Sequence, residues 1–268
     1  MQYDMYIVDA FTQAQFKGNS AAVVPVTQWP KDATMQHIAA ENNLSETAFI
    51  RSVESAQGDH FEIRWFSPLT EIDFCGHATL AASFVIFNHL GVQGEITFVT
   101  REVGRLTVNQ LTDQRIEMSF PNQKPEPIAE VPDALLQGLS EQPVQVLKNR
   151  QAYFAVFDNA AVVEQLTYHS DVLKQLAPFD VVVTAPSEQY DFISRYFWPA
   201  NGGDEDPVTG SIHAGLTPYW AERLGRNELV AYQASQRGGV LHCQVGEERV
   251  LVSGFGVLYL QGTIFIAD

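Results

Sequence analysis

The sequence predicts an α+β protein built from two similar domains, each a curved, mostly antiparallel β-sheet wrapped around a central helix. Three observations carry this expectation. Short segments rich in β-branched and aromatic residues, bounded by turn formers, fall into two sets along the chain. One helical stretch, from His77 to Leu90, is apolar on nearly every face up to Phe87, so protein must enclose it. The two sets also repeat their landmarks in the same order.

The first set of strands is expected at Asp4 to Phe11, Ala21 to Val26, Thr47 to Val53, Phe61 to Phe66, Ile96 to Thr100 and Arg105 to Val108. The second set is expected at Gln151 to Phe157, Val181 to Thr184, Asp191 to Phe197, Leu229 to Gln233, Val240 to Val245 and Arg249 to Leu260. Between them Pro121, Pro125 and Pro127 disfavour helix and central strand, which places a domain boundary there. The domains are accordingly expected at 1–121, with a C-terminal strand near 258–268 added, and at 128–257. A second long helix is expected from about Ser211 to Leu224, kinked or interrupted by Gly215 and Pro218. Smaller helices fit Asp32 to Ala40 and Ser170 to Leu176.

The repeat is readable residue by residue. Phe61-Glu-Ile-Arg64-Trp-Phe66-Ser-Pro68 matches Phe192-Ile-Ser-Arg195-Tyr-Phe197-Trp-Pro199 at an offset of 131. Gly76-His77 and its helix match Gly210-Ser211 and its helix at 134, and Gly104-Arg-Leu matches Gly239-Val-Leu at 135. Two copies of one domain are expected to face each other across a cleft, with equivalent loops on both walls.

Composition narrows the function. With 16 basic and 32 acidic residues the formal net charge is −16, which repels nucleic acid and anionic membranes at long range. Any anionic substrate needs a local positive potential. Two cysteines, Cys75 and Cys243, make no disulfide framework for 268 residues, and a reducing compartment follows. The N-terminal residues lack a basic stretch followed by a long apolar one, so no signal peptide is expected and a cytoplasmic location is. The apolar run from Ala78 to Phe87 is too short to span a bilayer.

Chemistry concentrates where loops enter the two helices, at Asp73-Phe74-Cys75-Gly76-His77-Ala78-Thr79 and at Asp204-Glu205-Asp206-Pro207-Val208-Thr209-Gly210-Ser211. The first amides of a helix have no internal partners and carry part of the positive end of the macrodipole, so they hold carboxylate or phosphate. Gly76 and Gly210 let a ligand approach the backbone closely. A nucleotide phosphate loop is excluded, because no lysine precedes Ser211 and three acids stand in that segment.

Each residue also has a plainer reading. Ser211 alone is an ordinary N-cap, and the Asp204-Glu205-Asp206 run alone is a solvated loop. His77 is either a satisfied structural residue or a proton relay. Cys75 is a nucleophile, a proton-transfer thiolate or a small buried residue. Glu46 starts an apolar strand and by pattern alone is exposed; facing a cleft, it can take a proton from carbon and return it. A metal centre fails on spacing, since Cys75 and His77 alone are a weak pair and there is no Cys-x-x-Cys or His-x-x-x-His.

Taken together, the motifs resemble the phenazine-biosynthesis isomerase (PhzF-like) family, which shares the diaminopimelate epimerase fold. The matching segments are Asp9-Ala10-Phe11-Thr12, Phe16-Lys17-Gly18-Asn19, Ser45-Glu46-Thr47-Ala48-Phe49, Arg64-Trp65-Phe66-Ser67-Pro68, Cys75-Gly76-His77-Ala78-Thr79 and Asp206-Pro207-Val208-Thr209-Gly210-Ser211. One departure is Ser20, where the family usually has proline; that is expected to loosen a turn. The resemblance implies a site between two domains, with Glu46 as acid/base, His77 and Asp206 as its polar partners, and Gly76, Gly210, Ser211 and Asn19 holding substrate. It implies no cofactor and no metal, and a homodimer.

The resulting expectation is a cofactor-independent isomerase that shifts a proton between carbons of a small carboxylate-bearing, dihydroanthranilate-like metabolite. The epimerase relatives use two cysteines, one from each half, whereas here Thr209 stands opposite Cys75 in the repeat. A two-thiol racemase is therefore disfavoured. An epimerase using Cys75 with another group, and a non-catalytic protein that binds small acids, are the rival readings.

Overall fold

The computed structural model describes residues 1–53 and 60–267. The chain divides into two compact units, residues 1–119 with 253–268 and residues 120–252. The first unit runs β1 (Gln2–Ala10), β2 (Asn19–Pro25), α1 (Asp32–Asn42), β3 (Glu46–Val53), β4 (His60–Phe66), β5 (Glu71–Ile72), α2 (Gly76–His89), β6 (Glu95–Val99), β7 (Arg105–Gln110) and β8 (Ile116–Pro121). The second runs β9 (Glu126–Pro127), α3 (Asp133–Gly138), β10 (Gln145–Lys148), β11 (Ala152–Val156), α4 (Ala160–Gln165), α5 (Ser170–Leu173), β12 (Asp180–Pro186), β13 (Phe192–Phe197), β14 (Glu205–Asp206), α6 (His213–Leu224), β15 (Glu228–Gln233), β16 (Gly239–Val245) and β17 (Arg249–Gly254). A final strand, β18 (Gly256–Phe265), returns to the first unit. The unit divisions fall within β8 and β17.

The two sheets repeat one pairing pattern. In the first unit β18–β1 and β1–β2 are antiparallel, β2–β3 parallel, β3–β4 antiparallel, β4–β6 parallel and β6–β7 antiparallel. In the second, β9–β10 and β10–β11 are antiparallel, β11–β12 parallel, β12–β13 antiparallel, β13–β15 parallel and β15–β16 antiparallel. The short β5 and β14 attach to β4 and β13 in the same way. β18 thus fills in one sheet the edge place that β9 fills in the other.

Each sheet packs on its own helix. In α2 every residue from Gly76 to Ser83 is buried, and the helix lies against β1, β2, β3 and β18. Its two hydroxyls are satisfied locally: Thr79 donates to the Cys75 carbonyl at 2.6 Å and Ser83 to the Thr79 carbonyl at 2.8 Å. In the second unit Trp220 of α6 stacks on Phe192 and donates its indole N–H to Thr184 at 3.0 Å.

Three expectations about elements are corrected. α6 is continuous through Pro218, which has no N–H for the carbonyl four residues back; Ala214 offers that carbonyl instead to the backbone N–H of Gln123 at 3.0 Å. Gly215 is required there because a side chain would meet the Phe154 ring. The stretch expected as one strand from Arg249 to Leu260 is two, broken at Phe255. Ser20 lies in a strand rather than a turn: it sits in β2 opposite Asp9, and its hydroxyl donates to that carboxylate. The strand Gln145–Lys148 and the helices Asp133–Gly138 and Ala160–Gln165 were not expected, being short and without strong periodicity.

Candidate active site

In the first unit the register of three neighbouring elements brings four polar side chains together. Glu46 opens β3 and pairs with Ala21 of β2; Asn19 opens β2; Cys75 and His77 flank the first residue of α2. All four side chains are buried, Glu46 at 8% exposed, Cys75 at 7%, His77 at 5% and Asn19 at 1%. The pattern-based expectation of an exposed Glu46 is therefore wrong, because β3 is an interior strand paired on both sides.

Glu46 Oε2 lies 2.8 Å from His77 Nε2. Yet this oxygen has no aligned hydrogen-bond donor, so the approach is an ion pair whose N–H does not point along the contact. On the other side of the ring, the Asn19 carboxamide lies 3.1 Å from Nδ1, and with the ring protonated its oxygen is the end that accepts from Nδ1. The Cys75 sulfur lies 3.4 Å from Nδ1 and 3.8 Å from Nε2.

The electrostatics follow from burial and charge. Burial, aided by the negative Glu46 nearby, pushes the Cys75 thiol up to about 11, so it keeps its proton near neutrality. For His77, burial alone would favour the neutral ring, but the acidic neighbours Cys75 and Glu46 outweigh it and lift it well above the ordinary imidazole range. With the thiol protonated, the Glu46 carboxylate supplies that stabilisation. The cluster is a buried carboxylate beside an imidazolium.

The loop that delivers this helix entrance is held from both sides. Phe74 meets Trp65 edge-on at 5.7 Å. Five residues before Gly76, Glu71 of β5 is gripped by the buried Arg64 through bonds of 2.7 and 2.6 Å. The second unit has the same grip: Arg195 holds Glu205 of β14 at 2.7 and 2.9 Å, five residues before Gly210.

In the second unit Asp206 ends β14, and Gly210 and Ser211 lie on the turn that leads from it into α6. Ser211 is not the N-cap: α6 begins at His213, and Ser211 lies in the preceding turn, accepting a hydrogen bond from Gln151 at 3.0 Å. Asp206 accepts the Thr209 hydroxyl at 2.5 Å. Gln233, fully buried on β15, ties this turn down: its amide N–H donates to the Asp206 carbonyl at 2.8 Å and its oxygen accepts from the Thr209 backbone N–H at 2.8 Å. Sequence reasoning passed over Gln233 because a lone glutamine in a strand carries no motif. His213 donates from Nδ1 to the Thr209 carbonyl at 2.9 Å, and burial drives it down to about 4, so it is a neutral structural histidine.

Sequence reasoning also missed Asp180. It opens β12 and pairs with Ala152 across a parallel strand, as Glu46 opens β3 and pairs with Ala21. The two acids are 134 apart, the offset that relates Gly76 to Gly210. Their surroundings differ. Asp180 accepts from Tyr196 at 2.5 Å on one oxygen and from Asn201 at 2.7 Å on the other. Burial still raises it above the usual carboxylate range. The register was legible only once the strands were paired.

Among the described residues, no helix is long and apolar enough to cross a membrane. The chain matches the PhzC-PhzF family, described as phenazine biosynthesis-like protein, over residues 8–262. It is 42% identical to an uncharacterized isomerase of Halalkalibacterium halodurans, covering 99% of this chain and 100% of that one. Its fold superposes on the crystal structure of a PhzF family protein from Enterococcus faecalis with a TM-score of 0.93 at 41% identity, covering 99% of this chain and 100% of that one. A hydroxyproline epimerase of Agrobacterium vitis shares the fold at a TM-score of 0.58 and 10% identity, covering 100% of this chain and 93% of that one.

Proposed function

This chain belongs to the phenazine biosynthesis-like (PhzC-PhzF) family, and on that premise we propose that it is an isomerase in which Glu46 moves a proton between two carbons of a small carboxylate-bearing metabolite. The observation that carries the reading is the contrast between two register-equivalent acids. Both oxygens of Asp180 accept hydrogen bonds from the chain, whereas Glu46 Oε2 is buried without an aligned donor. Beside its ion pair with His77, Glu46 Oε2 keeps a lone pair that no aligned donor occupies, and a buried carboxylate so placed can act as a base.

In the proposed cycle the Glu46 carboxylate removes a proton from one carbon of the substrate, leaving the electron pair delocalised in the unsaturated ring. The His77 imidazolium beside it stabilises the negative charge of the site. Glutamic acid then returns the proton to a second carbon, so the enzyme ends unchanged and neither oxidant nor cofactor is consumed. The first amides of α2, from Gly76 onward, are assigned the carboxylate of the substrate. Asp206, Gly210 and Ser211 are assigned further substrate contacts on the strength of the repeat and the family motif. The substrate class proposed is a hydroxylated dihydroanthranilate, the protein acting as a homodimer.

The racemase alternative needs a Cys75 thiolate, and a thiol held near 11 beside an anionic Glu46 is a poor source of one. The test is turnover of a hydroxylated dihydroanthranilate in heavy water, followed by proton NMR. The proposal expects isomerisation with solvent deuterium at the newly tetrahedral carbon. Deuterium exchange at the α-carbon of an amino acid, with the dihydroanthranilate untouched, would replace this reading by the racemase one.

A further inference from the structure

We propose that Glu46, Cys75 and His77 form a coordination site for a soft divalent cation of the zinc class. Their ligand atoms all lie within 4.8 Å of one another, with Glu46 Oε2 to His77 Nε2 at 2.8 Å and Cys75 Sγ to the same nitrogen at 3.8 Å. Zinc bonds of about 2.0–2.3 Å in a tetrahedron put neighbouring donors roughly 3.3–3.7 Å apart, so closing the cluster on an ion takes side-chain rotations that move the sulfur by about an ångström, towards Nε2 and away from Nδ1. Sequence spacing does not bring the three together, because Glu46 comes from β3, about 30 residues before the α2 entrance that carries Cys75 and His77.

The donor set selects the ion. A thiolate, an imidazole nitrogen and one carboxylate suit zinc or cadmium, whereas magnesium and calcium need six or more oxygens. Charge selects it too. Coordination releases two protons to solvent, one from the Cys75 thiol and one from the His77 imidazolium, and thiolate, carboxylate and neutral imidazole then sum with a divalent cation to zero. A neutral complex is what a buried site tolerates. The Asn19 carboxamide against Nδ1 supplies the outer contact that orients a metal-bound imidazole, its oxygen turned to accept the Nδ1 proton. Three protein ligands leave one position open. The net charge of −16 raises the local cation concentration.

A bound cation would occupy the lone pair of Glu46, so zinc is inferred to be an inhibitor rather than a cofactor. Only this inhibitory consequence rests on the isomerase reading; binding itself does not.

The test is titration of the reduced, chelator-treated and desalted protein with cadmium ion, read by the ultraviolet thiolate-to-cadmium charge-transfer band, followed by displacement with zinc ion. One equivalent per chain is expected. Cys243→Ala should keep the band and Cys75→Ala should lose it. Glu46→Gln and His77→Asn should each weaken binding tenfold or more, and they decide the matter if circular dichroism finds Cys75→Ala unfolded. Absence of the band, a band that follows Cys243, or binding indifferent to both Glu46 and His77 would overturn the site. Because the readout needs no substrate, any of these results leaves the isomerase proposal standing.

Discussion

Arg64 and Glu71 are joined by two parallel hydrogen bonds of 2.7 and 2.6 Å, and the guanidinium is almost entirely buried while the carboxylate is about a third exposed. A third bond runs from Arg64 to Asp32 at 2.8 Å, but Asp32 is mostly exposed. Removing Glu71 therefore leaves a buried cation with one weak partner. Glu71→Gln is expected to destabilise the protein by about 3 kcal/mol, the low end for a broken buried pair, because water reaches the carboxylate. Urea denaturation of both proteins checks this; a difference below about 1 kcal/mol would place the pair among ordinary surface bridges.

Gln233 predicts a second loss. Gln233→Leu leaves the buried Thr209 N–H without its acceptor and removes one hydrogen bond from the partly buried Asp206 carbonyl. The buried N–H implies a destabilisation of about 1–3 kcal/mol, to which the partly exposed carbonyl adds little. The Thr209 amide should also exchange with solvent much faster, which hydrogen exchange reads directly.

His213 makes the protein sensitive to acid. Its folded value of about 4 lies below the ordinary 6.5, so the unfolded chain binds the proton more readily. Stability is expected to fall as pH drops from 6.5 towards 4, by about 3 kcal/mol in total from this group. Denaturation midpoints at pH 7 and pH 4.5 should differ less in His213→Gln than in the wild type, once each is referred to its own neutral value.

His77 behaves in the opposite sense. Its folded value is raised by its acidic neighbours Cys75 and Glu46 against the pull of burial, so the contribution of its proton to stability is full below 6.5 and is lost as pH rises through the folded value. NMR of the imidazole is expected to find the ring protonated well beyond the ordinary range. In Glu46→Gln the titration should move down; an unmoved titration would remove Glu46 as the cause.

Much of this was legible before any coordinate. The repeat offsets placed Arg64 against Arg195 and Gly76 against Gly210, because strand aromatics and helix-entrance glycines leave marks in sequence order. Glu46, His77 and Asn19 were picked out by motif, and they meet around one imidazole. The burial of Glu46 was not legible, since one acid at a strand start looks the same on an edge strand as on an interior one. Asp180, Gln233 and the approach of Cys75 to Glu46 depend on register between distant elements, which periodicity does not encode. Pro218 misled because its missing N–H reads as a break, whereas a loop amide had taken the freed carbonyl.

The central claim is that, of two acids placed alike, Glu46 moves the proton and Asp180 does not. Comparing initial rates of Glu46→Gln and Asp180→Asn with the wild type, on any substrate the wild type isomerises, tests it most directly. The account predicts a loss of about 10²–10⁴-fold for Glu46→Gln and less than about tenfold for Asp180→Asn. Undiminished turnover by Glu46→Gln would contradict it.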